Sequence, residues 1–375
     1  MNARNDSIET VKGDSPQVGQ PKSAAALKPV DSDICERIYR GWDGETLPTP
    51  PLTSSMQPFA PGDIFLSCTY LNNPYDNHAG VGRIVQYDKN MDYKGVLWIG
   101  FTSHLIVHLR FDPKGNLWGC DCQGHHILQV DSSTGKLLSE TRFADVGLAS
   151  PCFVKDGSVL LADYFKGDTP PPGTCIRTIP GTDGLIGQGK LYRFTRNGRL
   201  LEEWTPETAP EPFNFKGITH MTLHPSEEYV TYTTETGKRV MRFNIKTGEQ
   251  MPDLKVCPGE TQPGVMDREW AIAVAYLSDG RLLLTRGETV EVLDESGTVL
   301  RTYELPAYGW AMIQPGADEK SFVTTNFFTG MMAKVDLETG KIIGQIDSGT
   351  GVKDTPKGVV PRLGLAGVAE FSGRA

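Results

Sequence analysis

From about residue 62 onward the chain is built of short apolar or alternating runs, each closed by Gly, Pro, Asn, Asp or Ser. Between Val107 and Phe143 four such runs follow one another: Val107–Phe111, Leu117–Cys122, Ile127–Asp131 and Lys136–Phe143. The turns between them are Asp112-Pro-Lys-Gly115, Gln123-Gly-His-His126 and Ser132-Ser-Thr-Gly135. Runs of this length with this punctuation predict an antiparallel four-stranded meander. One such sheet cannot bury both of its faces, so the fold depends on whether the unit recurs.

It does. Phe111-Asp-Pro-Lys-Gly-Asn-Leu-Trp aligns with the segments that begin at Phe153, Leu223 and Tyr276, and more loosely with the one at Ile313. The third run and its turn recur at Leu128, Leu191, Met241, Val290 and Ala333. Five complete units at this spacing read as propeller blades. A sixth is split. Gly62–Tyr70, Gly82–Asp88 and Lys94–Ile99 supply its second to fourth strands, and Gly364–Ser372 at the other end has the missing first-strand pattern. Such a strand would close a ring and leave no open sheet edge. The sequence therefore predicts an all-β, six-bladed β-propeller over residues 62–375. The alternative is seven blades, with residues 35–60 forming part of one.

Outside the repeat, residues 1–34 are polar and aperiodic, which predicts a disordered tail. Residues 35–61 form a Pro-rich extended segment whose apolar residues suggest packing on the body. Two turns are long, 71–81 and 166–189, and both fall on the face expected to bind ligand. They read as lids, since insertions in loops often carry function. The net charge of −9 is interspersed, with no basic patch for nucleic acid. No apolar run is long enough to span a bilayer. The seven cysteines form no tight framework and the N-terminus has no secretory core, so the expected compartment is the cytoplasm.

The motif FDPKGNLW, followed by a short turn and ILQVD, resembles the NHL-type propellers. It is similar also to the wider group of gluconolactonase-like, strictosidine synthase-like and streptogramin B lyase propellers. The resemblance covers about residues 62–372. It implies the propeller fold, and activities that range from hydrolases to lyases, cyclising enzymes and binding proteins. Gluconolactonase-like members hold a divalent ion with carboxylates or amides at first-strand starts. The matching positions here, Val107, Ala149, Thr219, Ile272, Gly309 and Gly367, carry no carboxylate. Streptogramin B lyase pairs first-strand histidines with a second-strand carboxylate, and His108 with Asp121 is similar in kind. A pocket glutamate of the strictosidine synthase type has Glu288 as its nearest candidate.

In a propeller the first strand of each blade is innermost, so the alignment becomes a map of the channel. The inner register holds His108, Ser150, His220, Ala273, Trp310 and Val368, and the second-strand ends hold Asp121, Asp163, Thr233, Arg286, Asn326 and Cys68. A few polar groups converging on an apolar pocket suit a small molecule. His104 and His108 lie four apart, as do His220 and His224. On a strand that spacing spans roughly 13 Å, too far for one ion. His108 and His220, however, share a register two blades apart and could meet on the axis. They are the candidate acid and base. With an oxygen donor they would also make a site for a divalent metal such as Zn, Fe, Mn or Mg.

Asp121 is expected to orient a histidine, and Arg286 to hold a substrate anion. Asp163, Tyr164, Asn326, Phe328, Trp310, Tyr70, His78 and His126 are the candidate substrate-binding surface. Gly181–Gly189 lacks the strand–helix context of a nucleotide loop, so no nucleotide cofactor is expected. The reading is an enzyme for a small organic molecule, of lyase or cyclising type. Its alternatives are a metal-dependent lactonase or esterase and a non-catalytic binding propeller.

Overall fold

A computed structural model describes residues 53–71, 80–99, 106–122, 125–168, 185–209, 216–235, 237–257, 270–327, 329–348 and 365–373. Six four-stranded antiparallel sheets make up the body. The first blade has β1 (Ile64–Leu71), β2 (Gly80–Tyr87) and β3 (Tyr93–Ile99). The second has β4 (Ile106–Phe111), β5 (Leu117–Asp121), β6 (His126–Val130) and β7 (Leu137–Thr141). The third has β8 (Leu148–Phe153), β9 (Ser158–Asp163), β12 (Leu191–Thr195) and β13 (Leu200–Trp204). Between β9 and β12, the strands β10 (Lys166–Gly167) and β11 (Gly187–Gln188) pair as a small ribbon.

The fourth blade has β14 (His220–Leu223), β15 (Tyr229–Thr233), β16 (Arg239–Asn244) and β17 (Glu249–Val256). The fifth has β18 (Val274–Tyr276), β19 (Leu282–Thr285), β20 (Thr289–Leu293) and β21 (Val299–Glu304). The sixth has β22 (Trp310–Pro315), β23 (Ser321–Asn326), β24 (Met331–Asp336) and β25 (Ile342–Asp347). The last strand, β26 (Leu365–Glu370), returns to β1 as the first blade's innermost strand, with Ile64 facing Glu370 and Leu66 facing Val368. The six inner strands β26, β4, β8, β14, β18 and β22 each touch the next around the ring. The fold is thus a six-bladed β-propeller. Of residues 35–60, the alternative source of a seventh blade, the described part, 53–60, contains no strand, and 35–52 lie outside the described residues. No helix among the described residues is long and apolar enough to cross a membrane.

The blades hold together because each middle strand is buried on both faces. Successive side chains of a strand point to opposite sides, so one strand feeds two cores. On β19, Leu282 and Leu284 pack toward the fourth blade while Leu283 packs toward the sixth. On β9, Val159 and Leu161 face the second blade and Leu160 and Ala162 the fourth. Six apolar clusters result among the described residues, one per blade interface. Outer strands are the most exposed, as in Leu200–Trp204, where Leu200 and Leu201 are themselves exposed.

The turns of the repeat are closed by asparagine-type caps. Asp112 Oδ1 accepts from Lys114 N at 2.8 Å and from Asn116 N at 2.9 Å, and Gly115 supplies the left-handed residue at φ +82°. Residues 53–61 run across the first two blades. Ser55 N and Met56 N donate to Val96 O, Phe59 N donates to Ser132 O, and Phe59 stacks on Phe65 with ring centres 4.4 Å apart. Gly95 and Gly135 permit the approach, since a Cβ at either would collide with the backbone of residues 55–57.

Candidate functional site

The site begins with a break in strand register. On β4, Val107 faces Cys120 and Arg110 faces Trp118, so His108 and Leu109 together occupy the place of one residue. His108 takes up the bulge in the left-handed region, at φ +56°. A bulge kinks the strand and re-aims a side chain, and bulges cluster beside functional sites. A non-glycine residue in this region is uncommon and costs on the order of 1–3 kcal/mol unless its surroundings enforce it. The next blade repeats the device at Ser150, φ +55°. In the fourth blade His220 faces Thr233 in regular register.

These three strands bring the histidines together. Ser150 lies between them in the ring and is small. Its hydroxyl accepts from Met221 N at 3.1 Å and donates to Thr219 O at 3.3 Å, which ties it to the fourth blade. His108 therefore reaches across to His220, with Nε2 of the first 2.9 Å from Nδ1 of the second. Both are buried, at 6% and 2% exposure. The outer nitrogens, His108 Nδ1 and His220 Nε2, are buried without a hydrogen-bond partner.

Burial lowers the pKa of both rings. His108 is held well below the usual histidine value by burial, by His220 and by Arg110. His220 is brought down to about 3 by burial and Arg110. The pair is neutral at physiological pH. One inner nitrogen must then donate and the other accept. In either tautomer one outer nitrogen carries a hydrogen and the other a lone pair.

Above the pair, the Tyr164 ring centre lies 6.2 Å from that of His108. The Tyr164 hydroxyl donates to Glu235 Oε2 at 3.2 Å, and Glu235 N donates to Thr219 Oγ1 at 2.7 Å. Burial raises the Glu235 carboxyl to about 7, and burial with the Glu235 charge pushes Tyr164 well above the usual phenol value. Glu235 is the group sequence reasoning missed. It sits in the β15–β16 turn, on the same face as the turn that carries Glu288, the residue expected there. Its signal was the topology: this turn, in the same blade as His220, overlooks the axis.

Several expected site residues turn elsewhere. Asp121 is buried at the end of β5, and its Oδ2 lies 3.9 Å from His126 Nδ1. It forms no hydrogen bond to His108 or His220, so it does not orient either ring. Asp163 holds the base of the long turn: Oδ2 accepts from Gln188 N at 2.6 Å and Gly189 N at 3.1 Å, and Oδ1 from Phe165 N at 3.3 Å. Arg286 binds Glu291 Oε1 at 2.9 Å and Trp270 O at 2.8 Å inside its own blade. Its Nη1 therefore has a carboxylate within hydrogen-bond distance.

Asn326 caps a turn, accepting from Thr329 N at 3.0 Å and donating to Tyr308 O at 3.1 Å. Trp310 is core, 2% exposed, with Nε1 donating to Pro306 O. His126 is half-buried at the start of β6. His78, Phe328 and the side chain of Tyr70 lie outside the described residues, as do most of the two long turns, 72–79 and 169–184. The histidine pair by itself supplies two of the ligands that a divalent ion would need. Structural and catalytic sites take three or four protein ligands, and no group of three His, Cys, Asp or Glu side chains is placed for one among the described residues.

No protein-family model matches the chain, and no curated protein matches it in sequence. Among solved structures it is similar to a chain of a nidogen/laminin complex, at 11% identity and TM-score 0.56, over 84% of this chain and 100% of that one. It is also similar to a selenomethionine-substituted virginiamycin B lyase from Staphylococcus aureus, at 17% identity and TM-score 0.42, over 64% of this chain and 69% of that one. A catalytically inactive variant of that lyase with quinupristin matches at 16% identity, the same coverage and the same TM-score. The nidogen/laminin match supports the propeller fold alone, and the two lyase matches carry no functional argument.

Proposed function

We propose that the chain is an acid–base enzyme acting on a small organic molecule at the mouth of the propeller channel, by elimination or cyclisation. The observation that supports this is the buried histidine pair, joined at 2.9 Å with both outer nitrogens unpartnered. A base and an acid are what such reactions need together, and a neutral pair supplies both. The outer nitrogen with the lone pair takes a proton from carbon. The inner hydrogen passes across the N–H···N bond, and the outer N–H at the far end protonates the leaving group. The pair ends in its other tautomer and resets by exchange with solvent. General acid–base catalysis by one positioned group contributes typically 10²–10⁴-fold.

Glu235 and Tyr164 add a second acid–base couple at the mouth. A carboxyl raised to about 7 is near the working pH, where such a group is most effective. Hydrolysis through a bound metal has less support, because among the described residues no third His, Cys, Asp or Glu joins the two nitrogens in a metal-holding group.

The test is to incubate the purified protein with a cell extract and follow every consumed compound by mass spectrometry. The expected result is one compound split or cyclised without gain of water. The His108→Asn variant should consume it at least about 100-fold more slowly. Equal consumption by wild type and variant, or a product carrying one added water, would sink this reading.

A further inference from the structure

One cation on the channel axis meets no carboxylate among the described residues. Arg110 stands two residues beyond His108 on β4. Its Nη2 donates to Met221 O at 3.2 Å, and its Nε is buried with no hydrogen-bond partner. Buried charges are normally paired, and other arginines here follow that rule. Arg193 has Asp156 and Glu202, Arg239 has Asp253 and Glu207, and Arg286 has Glu291.

Arg110 faces a cavity on the axis whose polar walls are His108, His220 and Gln314, with Met312 and Val368 among the apolar ones. No Asp or Glu lines it. Two further polar atoms, His108 Nδ1 and His220 Nε2, are buried there without partners. The histidines are 94% and 98% buried by the exposures given above, so this is an enclosed polar cluster and not a surface patch.

We infer that this cavity binds one small monovalent anion of halide size, held by the Arg110 guanidinium and by N–H donors of the histidine pair and Gln314. The chemistry leaves little else. A cation is repelled by Arg110, and a water molecule cannot match its charge. Phosphate is too large, because the cavity has room for about one water-sized particle. Hydrogen bonds to charged groups are the stronger class, and the cavity offers several donors to one point.

An anion here also has a consequence for the pair. The imidazole nitrogen it touches must carry the hydrogen, so the opposite outer nitrogen holds the lone pair. The ion thereby selects one tautomer. Binding itself needs no turnover, so the inference stands or falls apart from the catalytic reading.

The test uses the full chain. Crystals grown in sodium bromide are measured at the bromine absorption edge. The expected result is an anomalous peak on the axis between Arg110 and the histidine pair. Peaks on surface lysines alone, or none, would overturn the inference. In solution, bromide should raise the melting temperature saturably when compared at equal ionic strength with gluconate, a monovalent anion too large for the cavity. In Arg110→Gln the bromide concentration needed should rise about tenfold or more, as expected for loss of a charged hydrogen-bond donor. An unchanged midpoint in that variant would also overturn it. If Arg110→Gln does not fold, the wild-type anomalous map decides alone.

Discussion

His108 Nε2 sits 2.9 Å from His220 Nδ1, although the residues are 112 positions apart in the chain and a whole blade separates their strands. The contact exists because β4 bulges at His108 and because the intervening blade offers only the small Ser150 at that level. Removing either ring takes away one end of the proton path. His108→Asn and His220→Gln are each expected to lower turnover by about 100-fold or more. Asn tolerates the left-handed backbone at residue 108, so the far-UV circular dichroism should match wild type. A variant that keeps wild-type turnover would refute the role of its histidine.

Enlarging Ser150 should separate the pair. A valine there is β-branched at φ +55°, removes the acceptor for Met221 N and intrudes between the rings. Ser150→Val is expected to cost about 2–4 kcal/mol from strain, overpacking and the orphaned amide together. Ser150→Gly relieves the backbone and should cost less. Urea midpoints of the two variants give the comparison, and a valine variant as stable as the glycine one would contradict this packing.

Glu235 should make stability depend on pH. Its folded pKa, about 7, lies above the unfolded value near 4.5. The folded state therefore binds the proton more tightly. Its contribution is fully present below about pH 4.5 and is lost as pH rises through about 7. Glu235→Gln mimics the neutral form and should remove this dependence. The histidines act in the opposite sense. His220, with a folded pKa near 3, contributes stability that is present above about 6.5 and lost as pH falls toward 3. The informative quantity is thus the difference between wild type and Glu235→Gln in urea unfolding at pH 5 and pH 8. The variant should gain on wild type at the higher pH, and a constant difference would contradict the shift.

Arg286 binds within its own blade, and the weight of that contact can be measured through its partner. Glu291 accepts from both Arg286 and Lys255, at 2.9 and 2.8 Å. Glu291→Ala removes the carboxylate that both cations share, and losing a hydrogen bond between charged groups costs about 1.5–3 kcal/mol. Chemical denaturation should register the loss. A Glu291→Ala protein of wild-type stability would return Arg286 to the list of groups free to meet a ligand.

The propeller was legible in the sequence because each blade repeats its turn chemistry. Asp112 and Gly115 form the same cap whose register located the other units, and the pattern of Gly364–Ser372 was enough to place β26 beside β1. The meeting of His108 with His220 was legible for the same reason: both occupy one register. The partners of the remaining candidates were not. Asp163 and Arg286 stand at second-strand ends in the alignment, but what they bind is set by Gln188 and Gly189 in one case and Glu291 in the other. Those contacts have no period. Glu235 was missed because a single glutamate in a turn looks exposed until Tyr164 packs over it. The bulge at His108 inserts no turn residue, so nothing in VHLRF announces it.

The pairing of β26 with β1 also has a consequence in time. Synthesis runs from the N-terminus, so β1 emerges before the five other blades and its inner partner, β26, after them. Until then Ile64, Leu66 and Cys68 have no strand beside them toward the axis. The nascent chain carries an open edge while the five other blades are made, the kind of surface that chaperones bind and that seeds aggregation. The emergence of β26, more than the making of any single blade, is the event that completes the ring.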